Sequence, residues 1–266
     1  MTTEAPGREL SALEFDVLTE HLGVAAVPLV LRVHSPGRTH RERAELVDSV
    51  WRGLADRNLA GGGELNRGLA RLLRLLDHPT SEVDGRLWCG RSVRVFAGAR
   101  GEDGVLVTKD GDALRVRRAA ATAVAREAVS VLPPAQAGPG RSVAVRSADL
   151  DAAAAETGGD VEALEQELRR RGVRADDAED LTAMVRGAGS RGQFGAAARD
   201  GTGRRVRAER VVAFFDTPHG RYAQLRRDSP SGDPWSTIAP ADDRRMIALV
   251  EELRGELTGH ADGFGP

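Results

Sequence analysis

The feature that most constrains the fold is the stretch from 190 to 245, where short apolar or alternating segments are separated by residues typical of turns. Alternation of this kind is typical of β strands, because every second side chain of a strand points to the same face. Glycine, proline, aspartate and serine between such segments favour tight turns. These turns fall at 199–203, 217–220 and 229–234. The stretch therefore predicts an antiparallel meander of four strands.

A second stretch, from 82 to 117, follows the same pattern. Val93 and Val95 share one face of a predicted strand, and Leu114 and Val116 share one face of another. Turns are predicted at 101–104 and at the Asp-Gly pair that follows Lys109, a strong hairpin signal. The chain therefore carries two meanders, and amphipathic helices precede each of them.

These elements follow one plan twice: a strand, two or three helices, four strands and a closing helix. The half-repeats span 10–132 and 141–257, and a proline-rich linker lies near residue 136 between them. Each meander would leave a face and an edge that its copy can cover. We therefore predict a single domain over 1–266 of the α+β class. Its architecture is pseudo-twofold and duplicated, with a central antiparallel sheet flanked by two helical bundles.

The sequence contains two capping boxes, each of which predicts the start of a helix. Ser11 precedes Glu14 by three residues, and Thr39 precedes Glu42 by the same spacing. In such a box the hydroxyl and the carboxylate each accept a hydrogen bond from a free amide of the first turn. We expect helices to begin at both places.

Other boundaries rest on composition. The apolar run at 28–33 predicts a buried strand that begins at a proline, and the alanine-rich run at 119–131 predicts a helix. The last helix is expected to begin near Pro240, because proline suits a first helical turn. The tails at 1–9 and 258–266 are expected to be mobile.

Composition limits the location and the partners. The chain has 266 residues, one cysteine (Cys89) and a formal net charge of −2. One cysteine cannot form an internal disulfide, which suits a reducing compartment. The first residues lack the pattern of a secretory signal, and no apolar run approaches the ~20 residues needed to span a bilayer. These observations predict a cytoplasmic protein without membrane insertion, and the balanced charge argues against nucleic acid as a partner.

The glycine-rich segment from Gly187 to Gly192 has the spacing of a dinucleotide fingerprint. That fingerprint requires a strand before it and a helix after it, and here the predicted order is reversed. The same reversal argues against Ser190 as a nucleophile on a strand-to-helix turn. We interpret the segment as a helix end followed by a turn.

The remaining polar groups do not form a reactive set. His34, His40 and His78 lack the spacing of metal ligands. Four arginines form the densest basic run: Arg204, Arg205, Arg207 and Arg210. They could contact phosphates or guard an edge strand by charge, and the neutral chain favours the second. We predict no catalytic, cofactor-binding or metal site, no cofactor, and no enzymatic activity.

Five segments carry a resemblance to a known family. They are LEFDVLTEHL at 13–22, PLVLRV at 28–33, GRLW at 85–88, RGQFGA at 191–196 and FDTPHGRY at 215–222. They resemble the EspG proteins of ESX (type VII) secretion in actinobacteria, from about Leu10 to Leu257, and the last two segments are the most specific. The resemblance implies a pseudo-twofold fold of a central sheet and two helical bundles. It also implies a cytosolic chaperone that binds the helical tip of PPE proteins in PE–PPE heterodimers, keeps them soluble and directs them to their secretion machine.

A chaperone of this kind must cover an apolar patch on its client, which calls for a broad face rather than a cleft. We expect sheet strands and part of the C-terminal helical cluster to form this face, bordered by 101–104 and 226–235. The expected partner-binding residues are Glu102, Asp103, Phe214, Asp216, Tyr222, Arg226 and Trp235. The alternative is a non-enzymatic adaptor or structural protein that self-associates through its sheet, so that its partner is a second copy of the chain.

Overall fold

The computed structural model describes residues 7–229 and 232–259, which form two compact units. The first unit comprises Met1–Arg86, Arg91–Val131 and Ala197–Val206, and the second comprises Leu87–Gly90, Leu132–Ala196 and Arg207–Pro266. The described residues contain eight α helices and thirteen strands, and the strands form a large antiparallel sheet in addition to one small hairpin. This confirms the predicted α+β class.

Apart from its segment Ala197–Val206, the first unit begins with a short strand and ends with a short helix. Its elements are β1 (Arg8–Ser11), α1 (Ala12–His21), α2 (His40–Asp56), β2 (Ala60–Gly61), β3 (Glu64–Leu65), α3 (Arg67–Arg74), β4 (Ser81–Trp88), β5 (Ser92–Arg100), β6 (Asp103–Asp110), β7 (Ala113–Ala120) and α4 (Val124–Val129). The main strands follow the order β1-β7-β6-β5-β4, and the last two residues of β4 belong to the second unit. Leucines of α1 and α3 pack with valines of β6 and β7 in one apolar core.

The second unit contains the other meander. Its elements are β8 (Val143–Arg146), α5 (Ser147–Thr157), α6 (Val161–Arg170), α7 (Ala175–Val185), β9 (Arg191–Arg199), β11 (Val212–Thr217), β12 (Gly220–Asp228), β13 (Pro234–Pro240) and α8 (Asp243–Gly259). The strands follow the order β9-β11-β12-β13-β8, and β10 (Arg205–Arg207) pairs with β9. Ala197–Arg199 at the end of β9 and the first two residues of β10 belong to the first unit.

The two units use the same order of elements. In each, a four-residue strand pairs antiparallel with the last strand of the meander, β1 with β7 and β8 with β13. In each, a helix starts directly after that short strand, and further helices precede the meander. The half-repeat boundaries and the twofold relation between the halves stay a prediction.

Both predicted capping boxes are confirmed. The Glu14 amide donates to the Ser11 hydroxyl over 3.2 Å, and the Ser11 amide donates to the Glu14 carboxylate over 2.8 Å. The Thr39 hydroxyl and the Glu42 carboxylate make the same reciprocal pair at the start of α2. The boxes satisfy amides that no helical carbonyl can reach.

The prediction of a strand at 28–33 is wrong. Leu29–Leu31 form a single 3-10 turn, in which the Leu31 amide donates to the carbonyl of Pro28. Leu29 is 69% exposed, whereas a strand covered on both faces would bury it. The short strand of this unit is instead β1, so the expectation of a mobile tail is wrong for Arg8 and Glu9.

Two further boundaries differ from the predictions. Pro240 is the last residue of β13, and α8 begins at Asp243 after Asp242, whose carboxylate accepts from the amide of Arg245. The helix expected at 119–131 is shorter, because β7 continues to Ala120 and a 3-10 turn precedes α4. The turn expected at 229–234 and the C-terminal tail lie partly outside the described residues.

The proline-rich segment 133–139, which we call the strap, is bound along β12 in the second unit. The Arg221 amide donates to the carbonyl of Gln136, and the Gly138 amide donates to the carbonyl of Arg221. The Tyr222 hydroxyl donates to the carbonyl of Pro139 over 3.0 Å. The strap is therefore part of the sheet region rather than a free linker.

Replacing Gly138 by alanine tests this packing. A Cβ atom at Gly138 would lie 2.2 Å from Cζ of the Tyr222 ring, so the strap or the ring must move. We expect Gly138→Ala to lower the free energy of unfolding by about 1–3 kcal/mol, as overpacking does. Urea unfolding measures this change.

The matched control is Gly53→Ala. Gly53 lies inside α2, and a Cβ atom there would meet no heavy atom within 4 Å. We expect the free energy of unfolding of this variant to rise by about 0.5–1 kcal/mol, because glycine is a poor helix former. Equal unfolding midpoints for Gly138→Ala and the unchanged chain would show that the strap does not pack on Tyr222.

Candidate functional site

The strand register of the second unit decides which side chains share a face of its sheet. Phe214 pairs with Ala223 and Phe215 with Tyr222, so the two neighbouring phenylalanines point to opposite faces. The face that bears Phe214 carries the side chains that contact α8, and we call it the α8 face. The opposite face bears Tyr222, which packs with apolar residues of α6 and α7. We call it the α6 face.

Arg221 is the centre of the α8 face, and its side chain is fully buried. Its guanidinium donates over 2.7 Å to the carboxylate of Asp216, to that of Asp243 and to the carbonyl of Pro133. It also lies 5.3 Å from the centre of the Phe214 ring, a cation–π contact. A buried charge requires such partners, so the carboxylates of Asp216 and Asp243 have a structural role as ion-pair partners of Arg221.

Tyr222 is the matching anchor on the α6 face. Only 2% of it is exposed, its ring stacks on that of Phe215 with 5.4 Å between centroids, and its hydroxyl contacts the strap. Burial raises the pKa of the Tyr222 hydroxyl, because the low-polarity surroundings disfavour the phenolate. The hydroxyl therefore remains a donor.

The seven residues expected to bind a partner are not brought together. Glu102 and Asp103 belong to the first unit, where Glu102 is exposed at a turn and Asp103 pairs with Arg71 over 2.6 Å. The other five belong to the second unit. There Phe214, Asp216 and Trp235 lie on the α8 face, and Tyr222 and Arg226 lie on the α6 face.

Exposure separates these residues further. Phe214 and Tyr222 are buried, whereas Trp235 is 38% exposed and Arg226 is exposed and pairs with Asp151 of α5. Trp235 lies between Arg227 and Arg146 on neighbouring strands. The role of these residues in binding stays a prediction.

Part of the α6 face carries side chains that remain accessible, and we call this surface the open strip. Its members lie on β9, β11 and β12: Arg191, Gln193, Ala213, Phe215, Gln224 and Arg226. The register aligns them in cross-strand rows, with Phe215 beside Arg191 and Ala213 between Gln193 and Gln224. Arg191, Gln193 and Arg226 are exposed, and the other three are half-buried. The open strip is therefore an aromatic and small apolar centre surrounded by arginine and amide groups.

Five of the six members of this surface are absent from the residues expected to bind a partner: Arg191, Gln193, Ala213, Phe215 and Gln224. The sequence pattern could have indicated two of them, because Arg191 and Gln193 occupy the exposed positions of a strand whose next residue, Phe194, is buried. The pattern alone does not tell which of two consecutive phenylalanines faces a covering helix. Only the register of β11 against β12 decides it.

The glycine-rich segment has the structural role that was predicted. α7 ends at Val185, Gly187 adopts a φ of 72°, and β9 begins at Arg191. The carbonyl of Ser190 accepts a hydrogen bond from the amide of Asp216 over 2.8 Å. The helix-to-strand order is the reverse of both a nucleotide-binding loop and a nucleophile elbow.

The basic run pairs with carboxylates. Arg205 binds the buried carboxylate of Glu82 in the first unit, and Arg210 binds Glu256 of α8 in the second. Arg204 lies 3.5 Å from the carboxylate of Asp200. These ion pairs favour the interpretation as strand-flanking charges.

Neither a metal-binding cluster nor a membrane-spanning helix is present in the part of the chain that the structure describes. Within 7–229 and 232–259, no group of histidine, cysteine, aspartate or glutamate side chains is arranged to hold a metal ion. In the same residues no helix combines the length and the apolar character that crossing a membrane requires.

Comparison with known proteins identifies the family. The chain matches the model of the EspG family over residues 11–252. The chain belongs to the EspG family, which confirms the resemblance seen in the sequence. Comparison with curated proteins gave no match.

A solved structure shares the fold. It is that of the Mycobacterium tuberculosis type VII secretion system chaperone EspG5 in complex with the PE25-PPE41 dimer. The TM-score is 0.70 and the sequence identity 18%, and the match covers 93% of this chain and 95% of that chain. The likeness extends over the whole architecture and supports the predicted fold.

The environment of Tyr222 can be measured directly, because it is the only tyrosine of the chain. We expect its ionisation, followed by the ultraviolet absorbance of tyrosinate, to have a midpoint above the ordinary value of about 10. In urea the midpoint should return to about 10. Folding stability that depends on the neutral hydroxyl is present below the unfolded pKa and is lost as the pH rises through the folded pKa. Equal midpoints in both states would contradict the burial of this hydroxyl.

Proposed function

We propose that this protein is a cytoplasmic, non-enzymatic chaperone of a type VII secretion system. Its clients are PPE-like proteins, alone or in PE–PPE heterodimers, which it keeps soluble and directs to export. Membership of the EspG family supports this function, and so does the fold shared with the chaperone EspG5, which was solved in complex with the PE25-PPE41 dimer. The structural observation that carries the proposal is the open strip, an accessible sheet surface beside the helices of the second unit.

The chemistry of the open strip fits a protein client. Aromatic residues and arginine are enriched where proteins bind one another, and amide groups can pair with client backbone. Phe215 is held in place by its stack on Tyr222, so little side-chain freedom is lost on binding. A flat surface of this kind suits a helical client better than a small molecule, which requires a concave site.

The seven residues predicted from the sequence enter this proposal unequally. Arg226 belongs to the open strip, and Glu102 and Trp235 are exposed. Phe214, Asp216 and Tyr222 have an indirect role in this proposal. They hold β11 and β12 in place, and other side chains of these strands form the accessible surface. Asp103 is paired with Arg71.

Co-purification with a client tests the function. The chain is co-expressed with tagged PE–PPE-like pairs from the same organism, and we expect it to elute with one of them. Arg191→Glu should lower the recovered chain several-fold, because it places an acidic group in the open strip. Failure of every pair to retain the unchanged chain would contradict the function.

The matched control is Arg244→Glu. Arg244 is an exposed residue of α8, a helix whose Asp243 and Glu252 pair with Arg221 and Arg227 of the α8 face rather than with the open strip. We expect this variant to elute with the client as the unchanged chain does. Equal losses for Arg191→Glu and Arg244→Glu would show that the open strip is not the binding surface. A stable dimer that ignores all clients would favour the self-associating adaptor instead.

A further inference from the structure

A second candidate site lies in the first unit. It is a groove of about 290 Å³ between α3 and the ends of β1 and β7. This volume is at the lower end of the roughly 300–1,000 Å³ typical of ligand pockets. The groove therefore has room for a few side chains and not for a folded domain.

The register explains why the groove is basic at its rim and apolar at its base. Leu114, Val116 and Arg118 follow one another on the same face of β7, and Arg8 of β1 pairs with Val116. The apolar face of the sheet thus ends at two arginines. Above them lies α3, which contributes the buried Leu69 and the half-buried Leu72.

The charges of the groove do not cancel. Arg71 of α3 donates to the carboxylate of Asp103, with distances of 2.6 and 3.0 Å. Arg117 also lines the groove and pairs with Glu127 over 2.7 Å. Arg8 and Arg118 are exposed and form no ion pair within the described residues. The groove therefore has a local excess of two positive charges above an apolar base.

We propose that this groove binds an acidic peptide segment of a partner protein, with an apolar side chain on the accessible Leu72, which lies over the buried Leu69 and Val116, and with carboxylates at Arg8 and Arg118. Guanidinium groups match carboxylates in shape and charge, and the apolar base is of use only to a ligand that carries an apolar group. The groove and the open strip belong to different units.

Nucleic acid fits the groove less well. Its phosphates require basic groups and no apolar base, and single strands are usually held by exposed aromatic rings, which the lining of the groove lacks. A free inorganic anion would likewise leave the apolar base unused.

The test uses the full chain and a fluorescein-labelled peptide, Asp-Leu-Glu-Leu-Asp, followed by fluorescence anisotropy at low salt. We expect saturable binding that weakens as salt is added, because the contacts are exposed ion pairs. The double variant Arg8→Gln with Arg118→Gln should bind at least about fivefold more weakly. The peptide Asn-Leu-Gln-Leu-Asn, which keeps the leucines and lacks the charges, should bind comparably weakly to both proteins.

The control variant is Arg126→Gln, which removes the same charge from an exposed arginine of α4 that does not line the groove. It should bind the acidic peptide as the unchanged chain does. Unfolding midpoints in urea confirm that all variants fold, which is expected because the altered side chains are exposed.

Three results would overturn the proposal. The first is equal affinity of the double variant and the unchanged chain for the acidic peptide. The second is equal affinity of the acidic and amide peptides. The third is saturable binding of a single-stranded oligonucleotide that depends on Arg8 and Arg118 while the peptide does not bind.

Discussion

The second unit depends on one buried cation. The guanidinium of Arg221 contacts a carboxylate on the preceding strand, a carboxylate at the start of α8 and a carbonyl of the strap. Removing one partner of such a group leaves an uncompensated buried charge, which costs about 3–5 kcal/mol. The directions of β11, α8 and the strap are therefore set together by the geometry of a single planar group.

This arrangement also determines which surface remains available. Because Asp216 and Phe214 face Arg221, Phe215 and Tyr222 must point to the opposite side of the sheet. A slip of one residue in β11 would exchange these faces and expose Asp216 where Phe215 now lies. The buried ion pairs thus specify the register, and the register specifies the open strip. The side chains that support binding and those that perform it are neighbours in sequence and lie on different faces.

The sequence predicted well those features that depend on nearby residues. The capping boxes at Ser11 and Thr39 and the turns of the meanders follow local rules, and all of them are present where the structure describes them. The short strand β1 could not be recognised, since it has one buried leucine, Leu10, and exists because β7 offers it a pairing edge. The strap has the composition of a free linker, and its contacts with Arg221 and Tyr222 come from residues more than 80 positions away. In the candidate site, the family-specific segments were found, whereas the choice between Phe214 and Phe215 required the register.

The way in which the chain is divided between its two units has a consequence for biosynthesis. The first unit includes Ala197–Val206, so it lacks a segment until the ribosome has passed Val206. Until Arg205 has been synthesised, the carboxylate of Glu82 lacks the ion-pair partner that it has in the folded chain. Domains usually complete their folding in the order of their synthesis. Here the N-terminal unit stays incomplete until Val206 has been translated, and by then Leu132–Ala196 of the other unit has already been synthesised, so the N-terminal unit cannot complete its fold before synthesis of the other unit is under way.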